Sequence, residues 1–326
     1  MAKIIMGVAT SHSPQLSTQP DEWHLHVERD QLNKKLHFRG HDYTFDELVD
    51  VRKSEAFERI VSEENSKKMH AQWEQRIVEI QDRLAQVSPD ILLVIGDDQR
   101  ELFLDDGMPA FSVYWGAQVD MIPHPLIHPS IEAARWANYG FERETFQCQP
   151  ELGKHIIETM MVEGFDVAQL TRQPEGRSIG HAITFTKHRL LKQGVDFPIV
   201  PVMINTYFPP NQPTASRCYA FGKALRKAIE SWDRDQTVAI VASGGLSHFV
   251  VDEELDRLVL KGLLNKDENI LAKVPEKEFC SGTSEIKNWI AAAGALEHLQ
   301  MELIDYIPAY RSIAGTGCGM GFAWWE

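Results

Sequence analysis

The chain has 326 residues, 43% of them hydrophobic and 25% charged, which is ordinary for a globular protein and too apolar for a disordered one. Its net charge of −14 argues against nucleic-acid binding, which wants a basic face, but leaves room for an anionic small molecule held by a local Arg or Lys. No apolar stretch approaches the roughly 20 residues that cross a bilayer; four scattered cysteines without a C-x-x-C pair, and a start without a secretory leader, point to a reducing cytoplasm.

Residues 3–9 read as a buried strand that runs into Thr10-Ser-His12-Ser-Pro14, where Pro14 keeps Ser13 out of the helical region. Residues 21–52 are polar, His-rich and aperiodic, with a turn at Arg39-Gly40-His41; an insertion or lid with short helical pieces is expected. Met69, Trp73, Ile77, Ile80 and Leu84 recur at spacings of three and four, which predicts an amphipathic helix over 64–86. Ser88-Pro89-Asp90 ends it, and the apolar run 91–95 is a strand leading to Gly96-Asp97-Asp98-Gln99. Residues 104–130 are rich in Pro and His and read as a loop with an edge strand. Helices are expected at 131–139 and 151–163, a short strand at 165–170 and another at 198–204. A helix over 214–232, a strand over 237–242, helices over 253–264 and 285–299 and a Gly-rich strand at 317–325 complete the chain. Strands alternating with helices indicate an α/β fold, and no repeat or composition break marks a linker, so one domain over 1–326 is expected.

Four short segments end apolar runs with chemically capable residues, and in open α/β sheets ligands bind outside the carboxyl ends of the strands. His12 sits in the first segment. Asp97 and Asp98 follow the second strand and cannot both face the same way, so one should enter the pocket while the other binds backbone. In the third, Gly244-Gly-Leu-Ser-His248, the paired glycines let a ligand pass close and His248 suits proton transfer. Glu285 follows a Ser/Thr cluster in the fourth, where a helix-capping carboxylate is the competing reading. His181 opens a helical stretch, where the dipole favours neutral imidazole. Imidazole plus carboxylate is the donor set of a non-haem metal site. His24, His26, His37, His41, His124 and His128 read mostly as solvated loop residues able to line a substrate mouth. Gly315-x-Gly-x-Gly-x-Gly321 lacks the Lys-Ser/Thr of a phosphate loop, and no nucleophile elbow is present.

Taken in order, Thr10-Ser-His12-Ser-Pro14, Ser243-Gly-Gly-Leu-Ser-His248 and Thr283-Ser-Glu285-Ile-Lys-Asn-Trp289 resemble the LigB-type (class III) extradiol ring-cleaving dioxygenases over nearly the whole chain. The resemblance implies an α/β fold around a central mixed, twisted sheet flanked by helices, with Fe(II) held by two His and one Glu. By position it makes His12 and Glu285 metal ligands, His248 the acid/base and His181 a second pocket His touching substrate. One segment departs. Asp98 stands where the family places its second His ligand, which gives a harder set of His12, Asp98 and Glu285, able to take Mn(II) or Zn(II) as well as Fe(II), unless His41 or His124 swings in. The implied partners are a catechol-type aromatic substrate, which chelates through two oxygens while a His takes its proton, and O₂; Arg100 and Arg177 are candidates for a substrate carboxylate. A homodimer is the expected assembly. The change at Asp98 keeps two alternatives open: a Zn(II)- or Mn(II)-dependent hydrolase or lyase, and a non-catalytic subunit.

Overall fold

The structure is a computed structural model that describes residues 1–123 and 128–326. The chain opens with β1 (Lys3–Thr10), followed by α1 (Trp23–Leu32), a hairpin of β2 (Leu36–Phe38) and β3 (His41–Tyr43), and α2 (Phe45–Val51). The long helix α3 (Glu63–Val87) leads into β4 (Ile91–Gly96), then β5 (Phe111–Tyr114) and β6 (Gln118–Met121). Short helices α4 (Pro129–Glu132) and α5 (Arg135–Asn138) precede β7 (Glu144–Gln147), α6 (Pro150–Val162) and β8 (Ala168–Leu170). Next come α7 (His181–Arg189), β9 (Ile199–Ile204), α8 (Ala215–Glu230), β10 (Thr237–Ser243) and β11 (His248–Val250). The chain closes with α9 (Glu253–Leu264), α10 (Glu268–Lys273), α11 (Ile286–Ala295), β12 (Met301–Tyr310) and β13 (Thr316–Trp325).

Among the described residues nine strands form one mixed sheet in the order β11-β13-β1-β10-β4-β9-β5-β8, with β12 also paired to β13. β1, β10, β4 and β9 run parallel, whereas β13 is antiparallel to β1 and β5 to β9. Register sets Thr10 opposite Ser243 and Ala242 opposite Ile95, so the carboxyl ends of β1, β10 and β4 lie level. Both faces are covered, as a largely parallel centre requires. On β4, Ile91, Leu93 and Ile95 join the core with α6, α8, α9 and α11, while Leu92 and Val94 point to the opposite core with α3 and α7. That alternation is the two-residue period of a strand buried on both sides.

Helix α3 forms where its stripe predicts. Ser62 caps its N-terminus by accepting from Asn65 N–H, and Trp73, Ile77, Ile80 and Leu84 are fully buried. It ends at Ser88, in a left-handed conformation just before Pro89. Four expectations change. Two strands fall within 104–130: β5 lies inside the sheet, so that β8 takes the edge, and β6 pairs with β7 apart from it. Residues 131–139 split into α4 and α5, and the 165–170 strand shrinks to β8. Strand β12 was not predicted: Glu302, Asp305 and Pro308 break its apolar alternation, and pairing to β13 from Met301 to Tyr310, interrupted at Ile304, supplies the order that the pattern lacks.

The 21–52 segment has a small core of its own, in which Leu36, Phe38, Phe45 and Leu48 meet Val250 and Ala314. Two guanidiniums strap it to the residues just after β11 and just before β13. Arg39 Nε bonds Asp252 Oδ2 at 3.0 Å, and Arg52 Nη1 donates to the Val251 and Gly315 carbonyls.

Candidate metal centre

The residues just beyond the level strand ends meet. His12, Asp97 and Glu285 are buried, and each offers one ligand-capable atom, all within 4.8 Å of one another. His12 Nδ1 hydrogen-bonds Ser243 Oγ at 2.9 Å, which orients the ring. Its Nε2 stands 3.1 Å from Glu285 Oε2 yet makes no hydrogen bond. Asp97 and Glu285 have no Lys or Arg ion pair among the described residues. Burial and the Glu285 charge therefore push Asp97 up to about 6. For Glu285 burial also works upward, but the His248 and His12 imidazoles hold it well below the ordinary carboxylate range. An orphaned buried nitrogen facing two close carboxylates fits a divalent cation, which would satisfy the nitrogen and relieve the repulsion.

Asp97, not Asp98, supplies the carboxylate at this point, which corrects the sequence expectation. The Asp98 oxygens accept backbone N–H groups from Arg100, Leu102 and Phe103 at 2.8–3.1 Å and shape the loop after β4. Asp97 Oδ1 instead accepts from Asn288 Nδ2 at 3.1 Å. Asn288 also donates to the Ser243 carbonyl, and Trp289 Nε1 to that of Gly244. One turn at the start of α11 thus carries Glu285 and ties down β10 and Asp97 through residues three and four further on. The division into one inward and one backbone-binding aspartate holds with the roles exchanged.

Two more imidazoles flank the three. His181 stands edge-on to His12 with centroids 4.6 Å apart, and its Nδ1 is 2.5 Å from Glu101 Oε1. Burial works against a charge on His181, but Glu101 outweighs it and the pKa is pushed up to about 9. The neutral imidazole expected from the helix dipole is thereby corrected: a carboxylate in contact is stronger than a helix end. His248 Nδ1 donates to the Leu246 carbonyl at 2.8 Å, leaving Nε2 3.3 Å from Glu285 Oε1. Glycine at 282 makes room for that ring, because a Cβ there would lie 2.5 Å from Nε2 and 2.7 Å from the His248 carbonyl oxygen. Gly282→Ala is expected to displace His248 and to cost about 1–3 kcal/mol of stability; urea unfolding checks this, and a stability equal to wild type would contradict it.

Beneath His248 the loop is held by Asp256 on α9. Asp256 accepts from Ser247 N–H, Ser247 Oγ and Tyr306 Oη, each at 2.7 Å. Burial nonetheless raises its pKa from 3.8 to about 6. Across that window the folded protein keeps a proton the unfolded chain has released, so stability falls as pH rises through it. Asp256→Asn removes this slope. The stability of wild type relative to the variant is expected to drop by about 3 kcal/mol between roughly pH 3 and pH 7. Urea unfolding of both proteins measures it, and a difference independent of pH would contradict it.

His12, His181, His248 and Glu285 line a cavity of about 690 Å³, with His26, Arg29, Gln99, Arg100, Glu101, Tyr139, Tyr207, Phe249 and Arg311 also in its wall, while Asp97 lies buried beside them. Of the other candidates, His26 and His128 line it. His41 is exposed on β3 and packs on Tyr43, away from the site, and His124 lies outside the described residues. Arg177 donates to the Leu102 carbonyl and pairs with Asp106 rather than lining the cavity. Sequence reading passed over Glu101 and Asn288. Both had a signal, since Glu101 is four residues past Asp97 and Asn288 lies inside the Glu285–Trp289 segment.

The model of the LigB family, the catalytic LigB subunit of aromatic ring-opening dioxygenase, matches residues 59–321. The chain belongs to the LigB family. The matched span holds Asp97, Glu101, His181, His248 and Glu285, and β1 brings His12 to them from outside it. Gallate dioxygenase of Pseudomonas putida is similar, 34% identical over 158 residues that make 44% of this chain and 45% of that protein. A 2,3-dihydroxyphenylpropionate/2,3-dihydroxicinnamic acid 1,2-dioxygenase of Photorhabdus laumondii is 24% identical over 170 residues, 52% of this chain and 46% of its own. The chain spans about half the length of the curated relatives it matches. Among the described residues no helix is long and apolar enough to cross a membrane, and all four cysteines are free.

Proposed function

We propose that this LigB-family chain is an extradiol dioxygenase, inserting O₂ into the ring of a catechol-type substrate with Fe(II) held by His12, Asp97 and Glu285. The observation that carries the reading is the clustering of that three-residue donor set, two of whose members, His12 and Glu285, line a cavity of about 690 Å³ together with His181 and His248. The similarity to a gallate dioxygenase and to a 2,3-dihydroxyphenylpropionate/2,3-dihydroxicinnamic acid 1,2-dioxygenase supports the substrate class.

When bound, the metal supplies a Lewis-acidic centre at which the diol oxygens and O₂ are brought together. The chain's residues do the rest. Leu246 holds the His248 proton on Nδ1, so Nε2 is the atom that accepts a proton from the diol. A Glu285 carboxylate engaged as a ligand no longer supports a charged His248, which leaves that Nε2 free to accept. His181, kept charged by Glu101, donates to the oxygen on which negative charge develops. His248 then returns its proton as the ring opens. The 21–52 segment acts as the lid: α1 contributes His26, Arg29, Asp30 and Leu32 to the cavity wall and limits water.

A hydrolase or lyase using Zn(II) or Mn(II) is the second reading, favoured by Asp97 standing where a second imidazole would give a softer set. One experiment separates them. Protein reconstituted without oxygen with Fe(II), Mn(II) or Zn(II) is given a panel of ring diols, and O₂ uptake and ring-opened product are followed. The reading expects one O₂ consumed per ring with iron. Metal binding without O₂ uptake for any diol would point to the hydrolase or lyase, and no metal binding at all to a non-catalytic subunit.

A further inference from the structure

Among the described residues three guanidiniums line the cavity, and one of them has no ion pair. Arg311 is bound by Asp30 through two bonds of 2.7 and 2.8 Å and donates to Gln15 Oε1. Arg100 pairs with Asp105 at 3.0 Å. Arg29, on the last turns of α1, has no hydrogen bond or ion pair among the described residues. Its Cζ lies 5.9 Å from the centre of the Phe249 ring, and that ring lies 5.5 Å from the ring of His248. Every acid lining the cavity is engaged elsewhere: Asp30 by Arg311, Glu101 by His181, and Glu285 by His12 and His248. In a chain of net charge −14, a guanidinium with no acid of its own, facing the cavity next to the proton-transfer histidine, is a site for an anion brought by the ligand.

We infer that Arg29 is a specificity-determining residue that binds an anionic substituent, a carboxylate, on the ring diol. The inference rests on the ring-cleavage reading and adds to it which residue selects the substrate. The guanidinium is planar by resonance and has the Phe249 ring on one side, so its fork can meet a carboxylate with two parallel bonds. It also replaces Arg177, which points outside the cavity, and Arg100, whose charge Asp105 already balances.

The test uses the full chain loaded with Fe(II) in the absence of oxygen, with 3,4-dihydroxybenzoate and its methyl ester as probes. These share the diol and differ in the charge. Wild type is expected to bind the acid about 10- to 100-fold more tightly than the ester. Arg29→Met is expected to shrink that ratio below about threefold, and Arg29→Lys to keep part of it, because an ammonium retains the charge but not the fork. Arg29 is exposed at its helix surface, and unchanged thermal midpoints would establish that both variants are folded. Equal affinities for acid and ester in wild type, or an undiminished ratio in Arg29→Met, while ring diols are still cleaved, would overturn the inference and leave the ring-cleavage reading standing. If neither probe binds and no diol is cleaved, that reading fails and the inference with it.

Discussion

Asp97→Asn is expected to weaken Fe(II) binding by about a hundredfold or more, whereas Asp98→Asn should bind iron as wild type does. The two positions are adjacent, so the comparison is matched for location and chemistry. Asp97 faces His12 Nε2 and Glu285, and losing its charge removes one of the two carboxylates that a cation would neutralise. Asp98 spends its oxygens on three backbone N–H groups, and burial and the neighbouring Glu101 already push its pKa up to about 7. An uncharged amide oxygen can serve there. The cost at Asp98 should therefore appear as stability, about 1–2 kcal/mol, and not as metal content. Anaerobic titration with elemental analysis measures the first effect and urea unfolding the second. Equal iron loss in the two variants would show that the segment acts only by holding the loop.

His248→Gln should leave iron content intact and lower the rate of diol cleavage by about 10²- to 10⁴-fold. The glutamine keeps volume and a donor toward the Leu246 carbonyl but cannot cycle a proton. His181→Gln should cost less, about 10- to 100-fold, because it removes a charged hydrogen bond rather than the proton carrier. Single-turnover rates on iron-matched samples separate both from metal loss. A His248→Gln enzyme within threefold of wild type would remove His248 from proton transfer and leave His181 as the nearer candidate.

Much of this was legible in the chain, for physical reasons. Apolar runs at 3–9, 91–95, 198–204 and 237–242 became the parallel centre, because strands buried on both faces are apolar throughout. The chemistry followed those runs, so His12 and the segments holding Asp97 and His248 could be placed at one end of the sheet before any geometry was known. What sequence did not carry was direction and distant pairing. Whether Asp97 or Asp98 turns inward depends on Asn288, which lies 191 positions away and donates to the inward one. The protonation of His181 depends on Glu101, 80 positions earlier. Strand β12 is ordered by its pairing with β13 and not by an apolar pattern of its own. The polar, aperiodic character of 21–52 was legible, but its contacts through Arg39 and Arg52 emerge only where they meet Asp252 and Val251 just after β11.

The central claim is that His12, Asp97 and Glu285 hold one cation between them. Anomalous diffraction at the iron edge, from crystals grown with Fe(II) in the absence of oxygen, addresses it directly. A single strong peak within bonding distance of His12 Nε2 and one oxygen each of Asp97 and Glu285 is the expected result. A peak bonded to Asp98, or iron only at surface carboxylates with His12 Nε2 left bare, would contradict it.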